Sequence, residues 1–383
     1  MNQTLPELPV NLWVRLLLTD LGLYIHIPFC ESKCSYCAFY SAPSAPGLRE
    51  EYTEKLISEV KKRGAPVVRP VKSLYIGGGT PTVLTAEQLT RIITACKESF
   101  NLAPDAEITV EANPADNLSE HFKALAKAGV NRLSLGAQSA NEGELKILGR
   151  RQSNADVVRT VWDAKSAGIN NISLDLMLGI PFQTADSLRT SIDFICSQNP
   201  QHISCYILSL EEGTPLYSSE FSKMCADDDT VAELYELMCS LLAERGYEHY
   251  EISNFAKQGF RSRHNSHYWQ CGEYLGFGPS AHSFFGSRRF FCPPNLDQFL
   301  KEPAYIDDGE GGNAGEYIML GLRLKEGIEL SVLENKYKTD TAEILKKAIF
   351  LESQGLCSVN GDNISLTEKG MLVSNSVINE VMV

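Results

Sequence analysis

The sequence predicts an α/β fold: a partial (β/α)6 barrel followed by a smaller C-terminal α+β domain. Strand-like apolar runs alternate with amphipathic helical segments six times as far as residue 207, and this rhythm changes near residue 224. Such alternation is typical of a parallel sheet whose strands are joined by helical crossovers. Six units are fewer than the eight of a closed barrel. An open barrel therefore fits, although the pattern alone does not separate it from a doubly wound sheet.

Local start and stop signals support the individual elements. The predicted strands are 23–27, 73–77, 107–111, 132–136, 172–176 and 203–207. The predicted helices between them are 49–62, 86–99, 118–128, 155–167 and 185–197. Thr85 and Gln88 form a capping-box pattern before the second helix. Gly129 and Gly168 stand where helix C-termini favour glycine.

The last third of the chain has a different organisation. A helix is predicted at 227–244, a β-like stretch at 247–255 and a polar, aromatic-rich loop at 261–283. Helices flanking a hairpin, with its turn at 360–362, predict a winged-helix-like module at the C-terminus. The expected segments are an N-terminal extension at 1–20, the partial barrel at 21–222, a connecting region of helix, strand and aromatic, histidine-rich loop at 223–311, and the winged-helix-like domain at 312–383.

Composition and charge exclude several classes of protein. The chain has 383 residues and a net charge of −13, which disfavours nucleic acid and anionic membranes as partners. We therefore expect a structural or docking role for the winged-helix-like module. Apart from one cluster of three, the eleven cysteines are scattered and mostly lie in apolar runs, which is typical of reduced thiols in the cytosol. The apolar run 11–29 contains Arg15 and Asp20 and is too interrupted to span a bilayer.

Three cysteines lie in the spacing C-x3-C-x2-C, at Cys30, Cys34 and Cys37. A structural zinc site needs four protein ligands, and His26 is the nearest candidate for a fourth, although it also fits a pocket residue on a predicted strand. In a [4Fe–4S] cluster, three thiolates hold three irons and leave the fourth iron for an exchangeable ligand. The amine and carboxylate of S-adenosylmethionine suit that position.

Unusual polar or glycine-rich segments lie at or beyond the C-terminal ends of the predicted strands. They are the cysteine loop, GGGTPT at 77–82, Glu111, Gln138, Asp175 and SLEEGTPL at 209–216. In barrels built from βα units the site forms at that face. The glycine-rich segment lacks the spacing and the lysine of a phosphate loop, so it indicates either a tight turn or close backbone approach to a ligand.

These strand-end residues are individually weak signals. Arg150 lies in a segment that also fits a helix with a basic C-terminus. Taken together, the carboxylates could bind hydroxyl groups and an ammonium, and Arg150 a carboxylate. This is the set of contacts that a nucleoside carrying a methionine moiety requires.

A second cluster of chemistry-bearing residues surrounds HNSHYW at 264–269. The segment 249–282 contains four histidines and several aromatic residues. Imidazole is a common axial ligand of heme iron, and aromatic walls suit a flat macrocycle. Arg261 and Arg263 could bind its propionates. The alternative is a buried polar network in a loop that packs on the barrel mouth.

The stretch YIHIPFCESKCSYCAFY together with GGGTPT resembles the radical S-adenosylmethionine superfamily. From about residue 22 the chain is similar to the family of oxygen-independent coproporphyrinogen III oxidases, and most similar to its heme-chaperone branch; the segments that carry this include HISCYILSLEEGTPL, GYEHYEISNFA, HNSHYW and YLGFGPSAHS. The resemblance implies a barrel of the radical SAM type that holds a [4Fe–4S] cluster, S-adenosylmethionine and heme.

The resemblance also implies roles for individual residues. The cluster ligands would be Cys30, Cys34 and Cys37. The S-adenosylmethionine site would comprise Tyr24, Tyr36, Gly78, Gly79, Thr80, Glu111, Gln138, Arg150 and Asp175. The heme site would comprise His264, Asn265, Tyr268 and Trp269. Phe39 stands where the oxidase branch has a further cysteine, which favours the chaperone, whereas Arg150–Arg151–Gln152 replaces the R-x-H pattern of many chaperones.

The expected function is therefore a cytoplasmic heme chaperone that passes heme to apo-hemoproteins such as respiratory enzymes. An electron donor, peripheral association with the membrane during delivery and a dimer are further expectations, and nucleic acid is not. The alternative is an oxygen-independent coproporphyrinogen III oxidase, which decarboxylates coproporphyrinogen III to protoporphyrinogen IX by radical chemistry. We expect no such oxidase activity. A third reading is another radical modification of a tetrapyrrole, such as ring opening.

Overall fold

The computed structural model describes residues 20–115 and 117–382, so the expected extension at 1–20 lies outside the described residues except for its last one. The strands are β1 (Leu21–Ile27), β2 (Pro70–Gly78), β3 (Asn101–Ala112), β4 (Arg132–Gln138), β5 (Asn171–Leu178), β6 (His202–Ile207), β7 (Glu248–Glu251), β8 (Asn254–Ala256), β9 (Tyr274–Phe277), β10 (His282–Phe285), β11 (Arg288–Phe291), β12 (Ile306–Glu310), β13 (Ile328–Glu329), β14 (Cys357–Asn360) and β15 (Asn363–Leu366).

The helices alternate with the first six strands and then dominate the C-terminal part. They are α1 (Pro46–Gly64), α2 (Ala86–Ser99), α3 (Ser119–Lys127), α4 (Glu142–Ile147), α5 (Asn154–Ser166), α6 (Ala185–Ser197), α7 (Asp228–Glu244), α8 (Arg263–Trp269), α9 (Leu296–Lys301), α10 (Ala314–Gly321), α11 (Leu330–Lys336), α12 (Ala342–Ser353), α13 (Glu368–Leu372) and α14 (Ser374–Met382). Two short 3₁₀ helices are Pro81–Val83 and Glu220–Met224.

Strands β1 to β6 lie side by side in chain order and pair in parallel, which confirms the six predicted βα units. Two antiparallel strands, β8 and β7, continue the sheet beyond β6. At the other edge β9 pairs in parallel with β1 and is followed by β10, β11 and β12. The connecting region thus extends the barrel sheet at both edges, because it supplies strands that pair with the otherwise open sides of β1 and β6.

The two faces of the parallel strands differ in chemistry. Apolar side chains such as Leu23, Ile76 and Leu174 are fully buried and form one core with the surrounding helices. The alternate positions, which share the opposite face because side chains in a strand alternate, are polar or aromatic. They include Tyr24, Tyr75, Glu111, Ser134, Asp175 and Tyr206.

The local helix signals are confirmed. Thr85 accepts a hydrogen bond from the backbone of Gln88, whose side chain accepts one from the backbone of Thr85, and the helix spans the predicted residues. Gly129 and Gly168 have φ values of +96° and +91° just after helices α3 and α5. Glycine is favoured there because other residues rarely adopt a positive φ.

The prediction of a loop at 261–283 was wrong, since this segment contains helix α8 and strand β9. Helix α8 is too short to produce a periodic pattern, and Ser262 caps it by accepting a hydrogen bond from the backbone of Asn265. A second cap comes from β3, where the carboxylate of Glu107 accepts hydrogen bonds from the backbone N–H groups of Arg263 and His264 at 3.1 Å. Contacts distant in sequence therefore determine this segment.

The C-terminal part has its own core and a three-stranded antiparallel sheet of order β13–β15–β14. The predicted hairpin is present, and Gly361 has φ +60° in its turn. Backbone hydrogen bonds of 3.0 Å from Ile252 to Arg323 and from Lys325 to Tyr250 join this part to the barrel sheet. In the part of the chain that the structure describes, no helix is both long and apolar enough to cross a membrane.

Candidate cluster and nucleoside site

The cysteine loop, residues 30–37, follows β1 and is held from two sides. The backbone N–H of Ser35 donates to the carbonyl of Leu148 at 3.1 Å, and its hydroxyl donates to the carbonyl of Ile147 at 2.7 Å. The carbonyl of Ser35 accepts a 2.7 Å hydrogen bond from the backbone N–H of Leu216. The loop is therefore fixed between helix α4 and the segment that follows β6.

All three predicted cluster cysteines are free thiols, and each is partly exposed. Burial raises the pKa of Cys30 and of Cys37, and the electrostatic interaction with Cys34 raises both further. Among the described residues, no three His, Cys, Asp or Glu side chains are placed to hold one metal ion. A structural zinc site takes four protein ligands, whereas three thiolates, each bound to a different iron, would suit a [4Fe–4S] cluster.

The glycine-rich segment at the end of β2 requires its glycines for steric reasons. A Cβ atom on Gly77 would lie 2.8 Å from the carboxyl group of Glu111. Gly78 has φ +109°, and a Cβ atom there would lie 2.6 Å from the ring of His26. Close packing of side chains from β1 and β3 against this backbone therefore excludes larger residues at both positions.

Backbone hydrogen bonds connect the glycine-rich segment to the start of the cysteine loop. The N–H of Gly79 donates to the carbonyl of Ile27 at 2.8 Å, and the N–H of Thr80 donates to the carbonyl of Phe29 at 2.7 Å. The hydroxyl of Thr80 lies 3.7 Å from the sulfur of Cys30. The ends of β1 and β2 thus form one continuous surface.

Glu111 lies at the end of β3 and faces the polar side of the sheet. Its carboxylate accepts hydrogen bonds from the hydroxyl of Tyr75 at 2.7 Å and from the N–H of Gly78 at 3.2 Å. Burial raises the pKa of Glu111 to about 7, while the hydrogen bond from Tyr75 opposes that rise. Its carboxyl group is therefore near its titration midpoint at neutral pH.

Asp175 occupies the corresponding face of β5. Burial raises its pKa to about 6, an effect opposed by hydrogen bonds from Ser204 and Ser134 and by the charge of Arg132. The hydroxyl of Ser134 donates to Asp175 at 3.3 Å. Arg132 is only 1% exposed, so a buried cation lies close to the two carboxyl groups of the barrel interior.

Two neighbouring residues of β6 are partly exposed. Tyr206 is 44% exposed and Ile207 is 43% exposed, although both belong to a strand in the middle of the sheet. Burial nevertheless raises the pKa of Tyr206 and of Tyr24, so protein surrounds both hydroxyl groups. Tyr206 and Tyr24 share the polar face of the parallel strands with Glu111 and Asp175.

Two further predicted residues lie at this end of the barrel. Gln138 has φ +69° and is 6% exposed, and its side-chain oxygen has no hydrogen-bond partner among residues 20–115 and 117–382. A strained backbone and an unpaired buried acceptor are typical of a site that awaits a ligand. Tyr36 packs against the small apolar cluster of Leu148, Met177 and Ile180.

Asn113 is a site residue that the sequence analysis missed. Its amide donates to the hydroxyl of Thr80 at 2.9 Å and accepts a 3.0 Å hydrogen bond from the guanidinium of Arg150. It thereby bridges β2 to the segment after β4, beside a cleft of about 410 Å³ that Cys34 also lines. Its place just after β3 is the signal that identified the other strand-end residues.

The predicted heme residues lie on α8. This helix contacts the N-terminal half of β2, away from the strand ends that carry the cysteine loop. His264 is 1% exposed, and burial lowers the pKa of its ring to about 3. Its two ring nitrogens pair with the hydroxyl groups of Ser73 at 2.8 Å and Tyr268 at 2.7 Å. Asn265 is partly buried, and Trp269 lies 5.6 Å from the guanidinium of Arg323. Heme binding by this set stays a prediction.

Fold and site together define a class of protein: an open parallel barrel with a three-cysteine loop beside a cleft of about 410 Å³. The family model of the Radical SAM superfamily matches residues 24–195. The model of the HemN C-terminal domain matches residues 314–373. The first match covers strands β1 to β5 with the cysteine loop, and the second covers most of the C-terminal α+β part.

Full-length relatives narrow the class. The heme chaperone HemW of Lactococcus lactis subsp. lactis (strain IL1403) is 34% identical over 94% of this chain and 96% of the relative. HemW of Bacillus subtilis (strain 168) is 35% identical, with coverage of 92% and 97%. The chain therefore belongs to the HemW family of the radical SAM superfamily, which confirms the resemblance found in its motifs.

A solved structure supports the fold over nearly the whole chain. The coproporphyrinogen III oxidase (HemN) from Escherichia coli matches with a TM-score of 0.83 and 22% identity, and covers 98% of this chain and 93% of that one. At this identity the likeness shows the fold alone. The predicted α/β fold, a partial barrel with a smaller C-terminal α+β part, is thereby confirmed.

Proposed function

We propose that this protein is a heme chaperone that binds heme and transfers it to apo-hemoproteins, and that it carries a [4Fe–4S] cluster and an S-adenosylmethionine site. The observation that carries the proposal is its similarity to relatives named heme chaperone HemW over 94% of the chain. Phe39 favours the chaperone over the oxidase, because the oxidase pattern has a further cysteine at this position. The side chain of Phe39 is 69% exposed just after the cysteine loop.

The cluster would be held by Cys30, Cys34 and Cys37, each bound to a different iron, so that S-adenosylmethionine could bind the fourth iron. S-adenosylmethionine supplies radical chemistry when it is bound to such a cluster. The residues around it would bind and orient this molecule: Arg150 its carboxylate, Glu111 and Asp175 its hydroxyl and ammonium groups. Tyr24, Tyr36, Gly78, Gly79, Thr80 and Gln138 would complete the site.

Heme would bind more readily to an exposed apolar surface around Phe182 and Phe221, at the barrel mouth, than to the buried ring of His264. Phe182 is 61% exposed, and its ring lies 6.4 Å from that of Phe221, edge to face. Met224, which is 49% exposed, and Tyr217, which is 47% exposed, belong to the same segment after β6. Exposed aromatic and thioether side chains of this kind are typical of a surface that receives a flat apolar ligand.

The finer expectations belong to the same proposal. The acceptors would include respiratory enzymes, an electron donor would reduce the cluster, and the protein would act in the cytoplasm, at the membrane surface during delivery. Dimerisation would accompany transfer. The competing function, oxidation of coproporphyrinogen III, is supported only by the likeness in fold to the Escherichia coli oxidase, and a fold is shared by unrelated activities.

The test is an anaerobic assay of the cluster-reconstituted protein, with heme titration, transfer to a heme-free b-type cytochrome and conversion of coproporphyrinogen III measured side by side. We expect stoichiometric heme binding, transfer and no protoporphyrinogen. Formation of protoporphyrinogen without heme transfer would reverse the assignment.

Matched variants test the apolar surface. Phe182→Ala combined with Phe221→Ala should weaken heme binding, because both remove apolar contact area. Trp162→Ala is the control, since Trp162 is 65% exposed on helix α5. Equal heme affinity in all three proteins would place heme elsewhere.

A further inference from the structure

His264 is fully engaged within the protein. Besides the hydrogen bonds of its ring to Ser73 and Tyr268, its backbone N–H donates to Glu107 at 3.1 Å. A ligand to heme iron needs a free imidazole nitrogen. To expose one, the ring would have to give up the 2.7 Å hydrogen bond with Tyr268 and leave a buried position. The geometry therefore points to a different use of this residue.

The ring of His264 lies against the ring of Tyr75, with centroids 5.0 Å apart and an angle of 24° between the planes. Ser73 and Tyr75 are two residues apart on β2, so both face the same side of the strand. His264 contacts the first through a hydrogen bond and the second through its face. Tyr75 in turn donates its hydroxyl to Glu111 at 2.7 Å.

We infer that His264 is a positioning residue for the nucleoside site: by stacking on Tyr75 it fixes the hydroxyl that orients the carboxylate of Glu111. The HNSHYW segment would then influence the bound S-adenosylmethionine indirectly, through Tyr75 and Glu111, without contacting it. This inference rests on the proposed S-adenosylmethionine site and assigns the histidine a role apart from heme.

The position of the Tyr75 ring depends on two aromatic neighbours, His264 and Tyr24. Tyr75 also lies beside Tyr24, with ring centroids 6.2 Å apart, so its ring is held between two aromatic neighbours. Removal of His264 would leave one face of Tyr75 unsupported. The hydroxyl could then turn away from Glu111 without any change in the cysteine loop, which contains neither residue.

The experiment measures the dissociation constant of S-adenosylmethionine by equilibrium dialysis on anaerobically reconstituted protein, together with heme titration. Tyr75→Phe and His264→Ala should each weaken S-adenosylmethionine binding about fivefold, the effect of one lost hydrogen bond. The double variant should be no weaker than either single one, because the two residues act through one contact. Heme affinity should stay unchanged.

His264→Phe keeps a stacking face but cannot ligate iron, so it should retain the affinity for S-adenosylmethionine. His267→Ala is the control for local damage to α8, since the ring of His267 bonds only the nearby carbonyl of Glu273 in the described contacts, at 2.8 Å. Its affinities should match those of the wild type.

The pH dependence of S-adenosylmethionine binding distinguishes the two roles of His264. A residue that only stabilises the fold would not change this pH dependence. The titratable and charged groups that face Glu111 include Tyr75, Asp175 and Arg132. Loss of the Tyr75 hydrogen bond should shift the midpoint of S-adenosylmethionine binding to higher pH in Tyr75→Phe and His264→Ala, and not in His264→Phe.

The outcomes separate a positioning role of His264 from a role as heme ligand. If His264→Phe loses heme and His264→Ala binds S-adenosylmethionine as tightly as the wild type, the inference is overturned and the histidine is a heme ligand. If the wild-type protein binds no S-adenosylmethionine, the proposed site itself is wrong.

Discussion

The guanidinium of Arg150 lies 3.4 Å from the sulfur of Cys34, measured from Nη1 to Sγ. Its other amino group bonds Asn113 and the carbonyl of Gly136. One cation thereby connects the cysteine loop to the ends of β3 and β4. The structure thus places one guanidinium against a predicted cluster ligand and against the ends of two neighbouring strands.

Replacement of Arg150 by Gln should weaken S-adenosylmethionine binding about tenfold or more, because the proposed charge-assisted contact to the ligand's carboxylate would be lost. The cluster should still assemble, since all three thiols remain. Equilibrium dialysis and the visible absorbance of the cluster measure the two effects. Arg159→Gln, on the exposed side of α5, is the charge-matched control and should bind normally.

Each of the three loop cysteines should be needed for the cluster. Cys30→Ala, Cys34→Ala or Cys37→Ala should contain much less iron and inorganic sulfide after anaerobic reconstitution, because two thiolates anchor too few irons. Cys196→Ser is the control, a partly buried thiol on α6. If reconstituted wild-type protein contained zinc and no sulfide, the cluster assignment would be wrong.

Gly78→Ala should destabilise the protein more than Gly168→Ala. Both positions have a positive φ, which costs about 1 kcal/mol for alanine. A Cβ atom at Gly168 meets nothing within 4 Å among the described residues, whereas one at Gly78 would clash with the ring of His26. We expect a total loss of about 3 kcal/mol at Gly78, measured by urea unfolding of the apoprotein. Equal losses would show that the ring of His26 moves aside freely.

The raised pKa of Glu111 predicts a dependence of stability on pH. Burial raises the pKa of this carboxyl group to about 7 in the folded protein, whereas in the unfolded chain we expect its ordinary value of 4.5. Between these values the folded state binds more protons, so the free energy of unfolding contributed by this group decreases as the pH rises toward and through 7.

Glu111→Gln isolates that contribution, because glutamine resembles the protonated form at every pH. The melting temperature of the wild type should decrease relative to that of Glu111→Gln between pH 5 and pH 8. Binding of S-adenosylmethionine to the wild type should increase over the same range if the ionised carboxylate is the binding form. Parallel melting curves for the two proteins would indicate that Glu111 is ionised throughout.

Parts of the fold were predictable wherever the signal is local. Helix α2 spans the predicted residues because its capping box lies within four consecutive positions. Helix α8 was missed since Glu107, 156 residues before Arg263 in the chain, caps it. Strands β7 to β12 are short and have partners at the two edges of the barrel, so their pairing was not visible in any single stretch.

The candidate site shows the same division. Strand-end position identified Glu111, Gln138 and Asp175, and the structure places them in the C-terminal halves of β3, β4 and β5. Asn113 follows a strand in the same way and was missed, because an amide after a strand is common in turns. The sequence also marked residues 264–269 as unusual, but it did not show that the ring of His264 points into the protein.

The sequence by itself determined the alternation of strands and helices, the three-cysteine loop and the family, because each depends on residue types at fixed short spacings. Only the tertiary structure decided which side chains share the polar face of the sheet, how far burial raises the pKa of Glu111 and Asp175, and what His264 contacts. These properties depend on distances between residues far apart in the chain, and the packing of the sheet, rather than local preference, sets those distances.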